Sequence, residues 1–265
     1  MAPTCDFLLV IPAYEEHQRL PPFLRDLVQQ LGETRYTTRI QIVDDGSSAN
    51  SLSELVRAMG DHASSSSVEI LPIRELGSRR GKGAAIRTGW NSEVNARWLA
   101  FVDADGAIPA AEVRRVFDFI SEDPTTGKGE AFMAVRAPEQ DQIVQRNWLR
   151  KFTGKLFVLI VNLALGSSFQ DPQCGFKIIS ARLWKKVVAS SLENGFGFDL
   201  ELLLLLKNSK SPVVELPIAW QEKPGGHFLL VQDGTSTLIS VARLWYRTHS
   251  RGLEKGSSAE KLESK

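Results

Sequence analysis

Short apolar runs alternate with amphipathic stretches through the first half of this 265-residue chain, and no other feature restricts its fold so strongly. "FLLVI" (7–11), "IQIV" (40–43), "VEILPI" (68–73), "WLAFV" (98–102) and "AFMAV" (131–135) have the length and composition of buried strands. Between them, residues 18–31, 50–59, 82–94 and 110–121 carry helical spacing. Strand alternating with helix predicts an α/β fold built on a mostly parallel sheet flanked by helices. Ligands of such sheets bind beyond the carboxyl ends of the strands. The segments that follow the strands therefore matter most.

Those segments are polar and glycine-rich. The first strand leads into "PAYEE" (12–16) and the second into "DDGSS" (44–48). "RELGSRRGKGAAIRTG" (74–89) follows the third and "DADGA" (103–107) the fourth. The glycine-rich stretch is neither a Walker A loop nor a dinucleotide fingerprint, because Gly77, Gly81 and Gly83 have the wrong spacing and position 86 is Ile. Arg79, Arg80 and Lys82 beside flexible backbone at a helix start suit phosphate groups, or only a solvated basic loop. Asp44-Asp45-Gly46 reads either as a turn or as a pair of carboxylates for a base or ribose.

Asp103 and Asp105 stand two apart. In an extended segment they would point to one side, where a hard divalent cation relieves their repulsion. The competing assignment is an acidic cap on a helix that starts near Pro109. Asp199 and Glu201 flank Leu200, and on a helix they diverge by about 200°, so that one of them faces the site.

Composition removes several function classes. A net charge of +1 gives no basic field for nucleic acid. Cys5 and Cys174 are too few and too far apart for a disulfide framework, which favours a reducing compartment. The four histidines lack metal-ligand spacing. The N-terminal residues predict no signal peptide. "LFVLIVNLAL" (156–165) is ten residues long, against the roughly 20 that cross a bilayer.

The second half predicts amphipathic helices. In 146–166, Trp148, Phe152, Leu156, Leu159 and Leu163 line one face, with Arg146, Arg150, Lys151 and Lys155 at the start. A stretch at 237–247, with Arg243, Trp245, Tyr246 and Arg247, is similar. Either face packs on the core or meets a membrane surface. Between them come "DPQCGFKII" (171–179), helices near 182–190 and within 195–206, and an extended "VVELPIAW" (213–220). Residues 251–265 have the composition of a disordered tail.

In order, "VIPAYEE", "IVDDGSS", "GKGAAIRTG", "FVDADGA", "DPQCGFK" and "FDLELL" resemble the motifs of family 2 glycosyltransferases of the GT-A fold. They are most similar to those of dolichyl-phosphate β-glucosyltransferases and related polyprenyl-phosphate sugar transferases, over about residues 6–222. The resemblance implies one GT-A catalytic domain over 1–250, with a nucleotide-sugar-binding half (1–122) and an acceptor half (123–250). It implies that Pro12, Ala13, Tyr14 and Glu16, with Asp44 or Asp45, surround the nucleoside. Arg80 and Lys82 would serve the pyrophosphate. Asp103, Ala104 and Asp105 would meet the ribose-diphosphate, the two acids also holding Mg²⁺ or Mn²⁺. Gln173, Cys174, Gly175, Phe176 and Lys177 would line the sugar and acceptor pocket, and Arg146 would approach the acceptor phosphate.

The implied activity is inverting transfer of a hexose from a nucleotide sugar, UDP-glucose first, to a polyprenyl phosphate at the cytoplasmic face of a membrane, with the protein held peripherally. GDP-mannose or UDP-GlcNAc as donor remains an alternative. So does a hydroxyl acceptor, which would need Asp199 or Glu201 as its base. Two departures from the mannosyl relatives stand out. Ala107 replaces a polar residue, and "PGGHF" (224–228) replaces their Gly-Ser-Lys, leaving Lys223 and His227 as the nearest candidates there.

Overall fold

The computed structural model describes residues 3–59, 65–122, 129–137, 158–159, 161–163, 166, 168–221, 223, 239–244 and 246. Arg146, the basic start of the 146–166 stretch, His227, Trp245, Arg247 and the 251–265 tail lie outside the described residues. The chain divides into two compact units, one of residues 1–142 and 173–227, the other of 143–172 and 228–265.

The first unit is an α/β sheet. Its strands are β1 (Cys5–Ala13), β2 (Thr38–Asp44), β3 (Val68–Ile70), β4 (Arg74–Glu75), β5 (Ala96–Val102), β6 (Ala131–Arg136), β7 (Phe176–Ser180) and β8 (Val213–Ile218). The order is β3-β2-β1-β5-β7-β6-β8, with β4 also paired to β2. β1 is parallel to β2 and β5, and β2 to β3 and β4. β7 runs antiparallel to β5 and β6, while β6 and β8 are parallel. The expected mostly parallel sheet is present, with β7 as the reversed strand among those described.

The helices are α1 (Leu20–Gly32), α2 (Ala49–Met59), α3 (Lys82–Trp90), α4 (Ala110–Glu122), α5 (Ala181–Val187) and α6 (Phe198–Asn208). Proline at its first positions, where no intrahelical N–H is needed, starts α1, and Leu20, Phe23, Leu24, Leu27 and Leu31 form its buried stripe. Ser180 caps α5 by accepting the Leu183 N–H. Phe7 of β1 stacks on Phe117 of α4, with ring centroids 4.0 Å apart. Both side chains are fully buried, each contributing about 1.5–3 kcal/mol of apolar burial. The core thus pins α4 to the sheet and fixes the loop between β5 and α4.

In the second unit, residues 158–159 and 161–163 are helical, as are 239–244 and 246. Val161, Val241 and Leu244 are buried, whereas Leu159, Leu163, Ile239 and Tyr246 are exposed. Among the described residues no helix is long and apolar enough to cross a membrane.

Candidate functional site

The carboxyl ends of β1, β2 and β4 carry three loops, and backbone amides hold these together. The Asp45 N–H donates to the Ala13 carbonyl at 2.8 Å, joining the first two loops. The Asp45 carboxylate accepts the Arg80 N–H at 2.7 Å and the Gly81 N–H at 2.8 Å, fastening the basic loop. Burial pushes this carboxyl up, while the two amides and Arg79 oppose the shift. Gly46 has φ of +81°, and a Cβ there would lie 2.5 Å from the Arg79 nitrogen, so only glycine lets the two loops approach.

Asp44 is placed differently. Its Oδ2 accepts the Gly46 and Ser47 N–H groups, each at 3.0 Å. Its Oδ1 is buried and has no hydrogen-bond partner among the described residues. A buried acceptor left open is costly unless a ligand completes it. Of the two adjacent acids, Asp45 fastens the basic loop, and Asp44 keeps one buried oxygen unpaired among the described residues.

Glu15 was not anticipated from sequence. It adopts a left-handed backbone, φ of +57°, and its carboxylate accepts the Ser48 N–H at 2.6 Å. The Glu15 N–H in turn donates to Ser47 Oγ at 2.9 Å. These bonds clamp the first loop to the second, and the Ser48 amide holds the Glu15 carboxyl below its usual range. The only sequence signal was an acid opposite a Ser-Ser pair. Tyr14 lies under the Arg79 guanidinium, 4.2 Å from its ring centroid, and Glu16 pairs with Arg19. Pro12 is half-buried beside the buried Ala13. Arg80 projects its side chain to solvent from the fastened loop.

Asp103 directly follows β5, and its N–H donates to the Gly175 carbonyl at 3.0 Å. The chain then turns rather than continuing extended. Asp105 Oδ1 accepts the Ala107 N–H at 2.9 Å, and Gly106 has φ of +66°. The two acids therefore do not share one side of a strand, and the expected extended D-x-D geometry is corrected. Asp105 caps a turn, not the helix near Pro109. Both acids remain partly exposed, with the buried Ala104 between them.

Behind Asp103 lies a chain of charges. Lys82 Nζ, on a side chain 11% exposed, is 2.7 Å from Asp103 Oδ1 and 3.3 Å from Asp199 Oδ2. Lys177 Nζ is 2.5 Å from Asp199 Oδ1 and donates to the Cys174 carbonyl at 2.8 Å. Burial works to lower the Lys82 pKa, but Asp103 and Asp199 outweigh it and raise the net value. Burial would likewise raise Asp199, yet Lys177 and Lys82 together hold it below the usual carboxylate range. Desolvation by the surrounding loops pushes Asp103 upward, against the pull of Lys82.

This geometry revises several sequence assignments. Asp199 is 2% exposed and sits between two ammonium groups, which favour its ionised form and lower its basicity. Glu201 does face away from Asp199, as helical spacing requires. Its carboxylate accepts the Leu192 and Glu193 N–H groups at 2.9 Å and the Ser191 hydroxyl at 3.0 Å. It anchors the turn before α6.

Cys174 and Lys177 do not line a pocket either. Both are buried, and Lys177 acts through Asp199 and the Cys174 carbonyl. Phe176 is buried in the core. Gln173 is half-buried, and Gly175 is pressed against Asp103.

Among the described residues no group of three or more His, Cys, Asp or Glu side chains is placed to hold a metal. Asp103 and Asp105 supply two hard carboxylate donors at the open rim. That donor set fits Mg²⁺ or Mn²⁺ completed by water and phosphate oxygens.

Fold and rim together define an α/β protein that gathers acids and bases at the ends of parallel strands. Glycosyl transferase family 2 matches residues 8–187, and the chain belongs to that family. A dolichyl-phosphate beta-glucosyltransferase of Drosophila melanogaster is 31% identical, over 84% of this chain and 69% of its own length. The Saccharomyces cerevisiae protein of that name is 30% identical, over 85% and 70%. The Homo sapiens one is 28% identical, over 96% and 79%. Among solved structures, glucosyl-3-phosphoglycerate synthase from Mycobacterium tuberculosis, crystallised with Mg²⁺ and uridine diphosphate, superposes with a TM-score of 0.61. The match covers 91% of this chain and 79% of that one, and at 12% identity it establishes likeness of fold.

Proposed function

We propose that the protein transfers glucose from UDP-glucose to a polyprenyl phosphate, with inversion at the anomeric carbon. The observation that carries the reading is the state of the rim carboxylates. Asp44 offers one buried open oxygen, while Asp199 and Glu201 are engaged by internal cations and amides.

A single open acceptor matches the uracil edge, which has one N–H between two carbonyl oxygens. Guanine presents two adjacent donors, and the second would meet an Asp44 oxygen already filled by Gly46 and Ser47. The names of the similar curated proteins support glucose as the sugar. Ala107 also supports it, since a buried methyl adds no polar ligand beside Asp103 and Asp105.

The engaged acids favour a phosphate acceptor. A hydroxyl needs a base to remove its proton, and neither candidate base is available. A phosphate monoester, with a second pKa near 6, arrives already ionised at neutral pH. The work left to the protein is to hold two anions close together and to stabilise the departing diphosphate.

Lys82 and the exposed Arg79 and Arg80 are the cations suited to that task. Asp103 and Asp105 would hold Mg²⁺ or Mn²⁺, which when bound supplies Lewis-acid stabilisation of the leaving group. Tyr14 would face the base, Glu16 would order its loop through Arg19, and Gln173 would face the sugar.

The exposed Leu159, Leu163, Ile239 and Tyr246 of the second unit support docking on a lipid surface, where the acceptor's tail resides. We place this surface at the cytoplasmic face, in keeping with two cysteines that form no disulfide.

The test is radiolabelled transfer from UDP-glucose, GDP-mannose and UDP-GlcNAc to dolichyl phosphate or to a short-chain alcohol, with Mn²⁺. Glucose is expected on the lipid phosphate alone. Transfer to the alcohol only, or a preference for GDP-mannose, would refute the assignment.

A further inference from the structure

We infer that Lys82 is an internal counter-ion that occupies Asp103 when no ligand is bound and must give up that carboxylate before a divalent cation can take it. The inference rests on the reading that Asp103 and Asp105 hold the metal.

The ammonium of Lys82 sits 2.7 Å from Asp103 Oδ1, on the carboxylate that the cation would need. It has a second berth 3.3 Å away at Asp199 Oδ2, while Lys177 satisfies the other Asp199 oxygen. Lys82 can therefore leave Asp103 without being stranded as a buried unpaired charge. A displaced lysine held at only one berth is also placed to donate to a diphosphate oxygen. Gly175 closes the approach from the other side, since its Cα stands where a Cβ would meet Asp103 Oδ2 at 1.9 Å.

Charge balance points the same way. Asp103, Asp105 and Asp199 against Lys82 and Lys177 leave one net negative charge in the cluster. A divalent cation alone would reverse it to one positive charge, with Lys82 and the metal competing for the same oxygen. A diphosphate alone would add two negative charges to a negative site. Arriving together they return the cluster to its starting charge, with Lys82 turned to the diphosphate. The site is thus built to disfavour the metal alone and to accept metal and nucleotide as a pair.

The experiment is Mn²⁺ binding to the full chain, read from the electron paramagnetic resonance of free Mn²⁺, with and without UDP. Without nucleotide, Lys82→Met and the more isosteric Lys82→Gln should bind Mn²⁺ about tenfold more tightly than wild type, as for loss of a half-buried competing ion pair. Arg74→Met, which removes an exposed cation of the same segment that has no role in the site, should stay within about twofold. The gain in Mn²⁺ affinity on adding UDP should be larger in wild type than in either Lys82 variant.

Unchanged Mn²⁺ affinity in the Lys82 variants overturns the exchange. So does equal tightening in Arg74→Met, which would reveal only a general field. Unfolding of both Lys82 variants by circular dichroism would assign Lys82 to the scaffold and also overturn it. If no protein binds Mn²⁺ even with UDP, the metal reading itself fails, an outcome distinct from Mn²⁺ binding alike to all.

Discussion

Gly175→Ala isolates the packing of the 173–176 loop against Asp103. A Cβ at this position would stand 1.9 Å from Asp103 Oδ2 and 2.4 Å from its Cγ. Real Cβ contacts stay beyond 3.0 Å, so the carboxylate must retreat by about 1 Å or the loop must lift. Gly175 is not among the glycines with positive φ, so alanine adds no backbone strain and the collision is the whole perturbation.

The retreat has a defined direction of damage. Asp103 is anchored by its N–H on the Gly175 carbonyl and by Lys82 on its side chain. Rotation away from the new methyl breaks the ion pair but leaves Lys82 on Asp199. Overpacking of this kind costs about 1–3 kcal/mol, which for a chain of this size lowers Tm by several degrees. A group misplaced by about 1 Å at a reacting centre costs on the order of 100-fold in rate. The expected result is therefore a folded protein with kcat for glucosyl transfer down about 100-fold and a weakened response to Mn²⁺. Transfer rates and a thermal melt on one preparation decide it. Turnover within about threefold of wild type would show that Asp103 need not be held where the structure holds it.

Four further outcomes are expected. Asp44→Asn should weaken UDP binding by isothermal titration about tenfold or more, because the amide must keep its oxygen on Gly46 and Ser47 and turn its NH₂ toward the base; undiminished affinity would remove Asp44 from the nucleoside site. Glu201→Ala should lose about 2–4 kcal/mol by urea unfolding, since three donors, two of them in buried bonds, lose their acceptor, while the folded fraction keeps its kcat; a stable but inactive variant would point to Glu201 as a base. Asp199 has a native pKa below its unfolded value of about 4, so its pairing supports the fold fully above that pH and is lost as pH falls through the lower native value; melts of wild type and Asp199→Asn from pH 7 to 2 should converge at the acid end, and a constant gap would contradict the pairing. Cys5, whose thiol burial pushes up to about 11, should resist iodoacetamide at pH 8 until the protein unfolds; labelling at the rate of the unfolded chain would refute its burial.

The parallel strands were legible because their signal is local. Each of β1, β2 and β5 is an apolar run with a polar exit, and the functional loops begin at those exits. β7 was missed for a physical reason. Its five residues, Phe176–Ser180, contain a lysine, and a charged residue in a short run argues against a buried strand. The partner that makes Lys177 tolerable, Asp199, lies 22 residues further on in a different element. Asp44 and Asp45 were equivalent in sequence for the same reason. What separates them is which backbone amides reach each carboxylate, and the Arg80 and Gly81 amides come from another loop. The D-x-D pair was found by its spacing, but its turn was not, because the extended reading ignored Gly106 and the short reach of Asp105 to the Ala107 N–H.

The pairing of Asp199 bears on the acceptor as well as on the fold. Freeing Asp199 from both lysine partners would strand a buried carboxylate, at a penalty of about 3–5 kcal/mol. An enzyme acting on hydroxyls would have to meet that penalty in every cycle. One acting on an ionised phosphate never does, because the acceptor arrives already deprotonated. On the proposed reading, the two lysines that hold Asp199 ionised also offset the carboxylates behind the site where two phosphates would meet. The choice of acceptor is then written into an ion pair formed between Lys177 of β7 and Asp199 of α6.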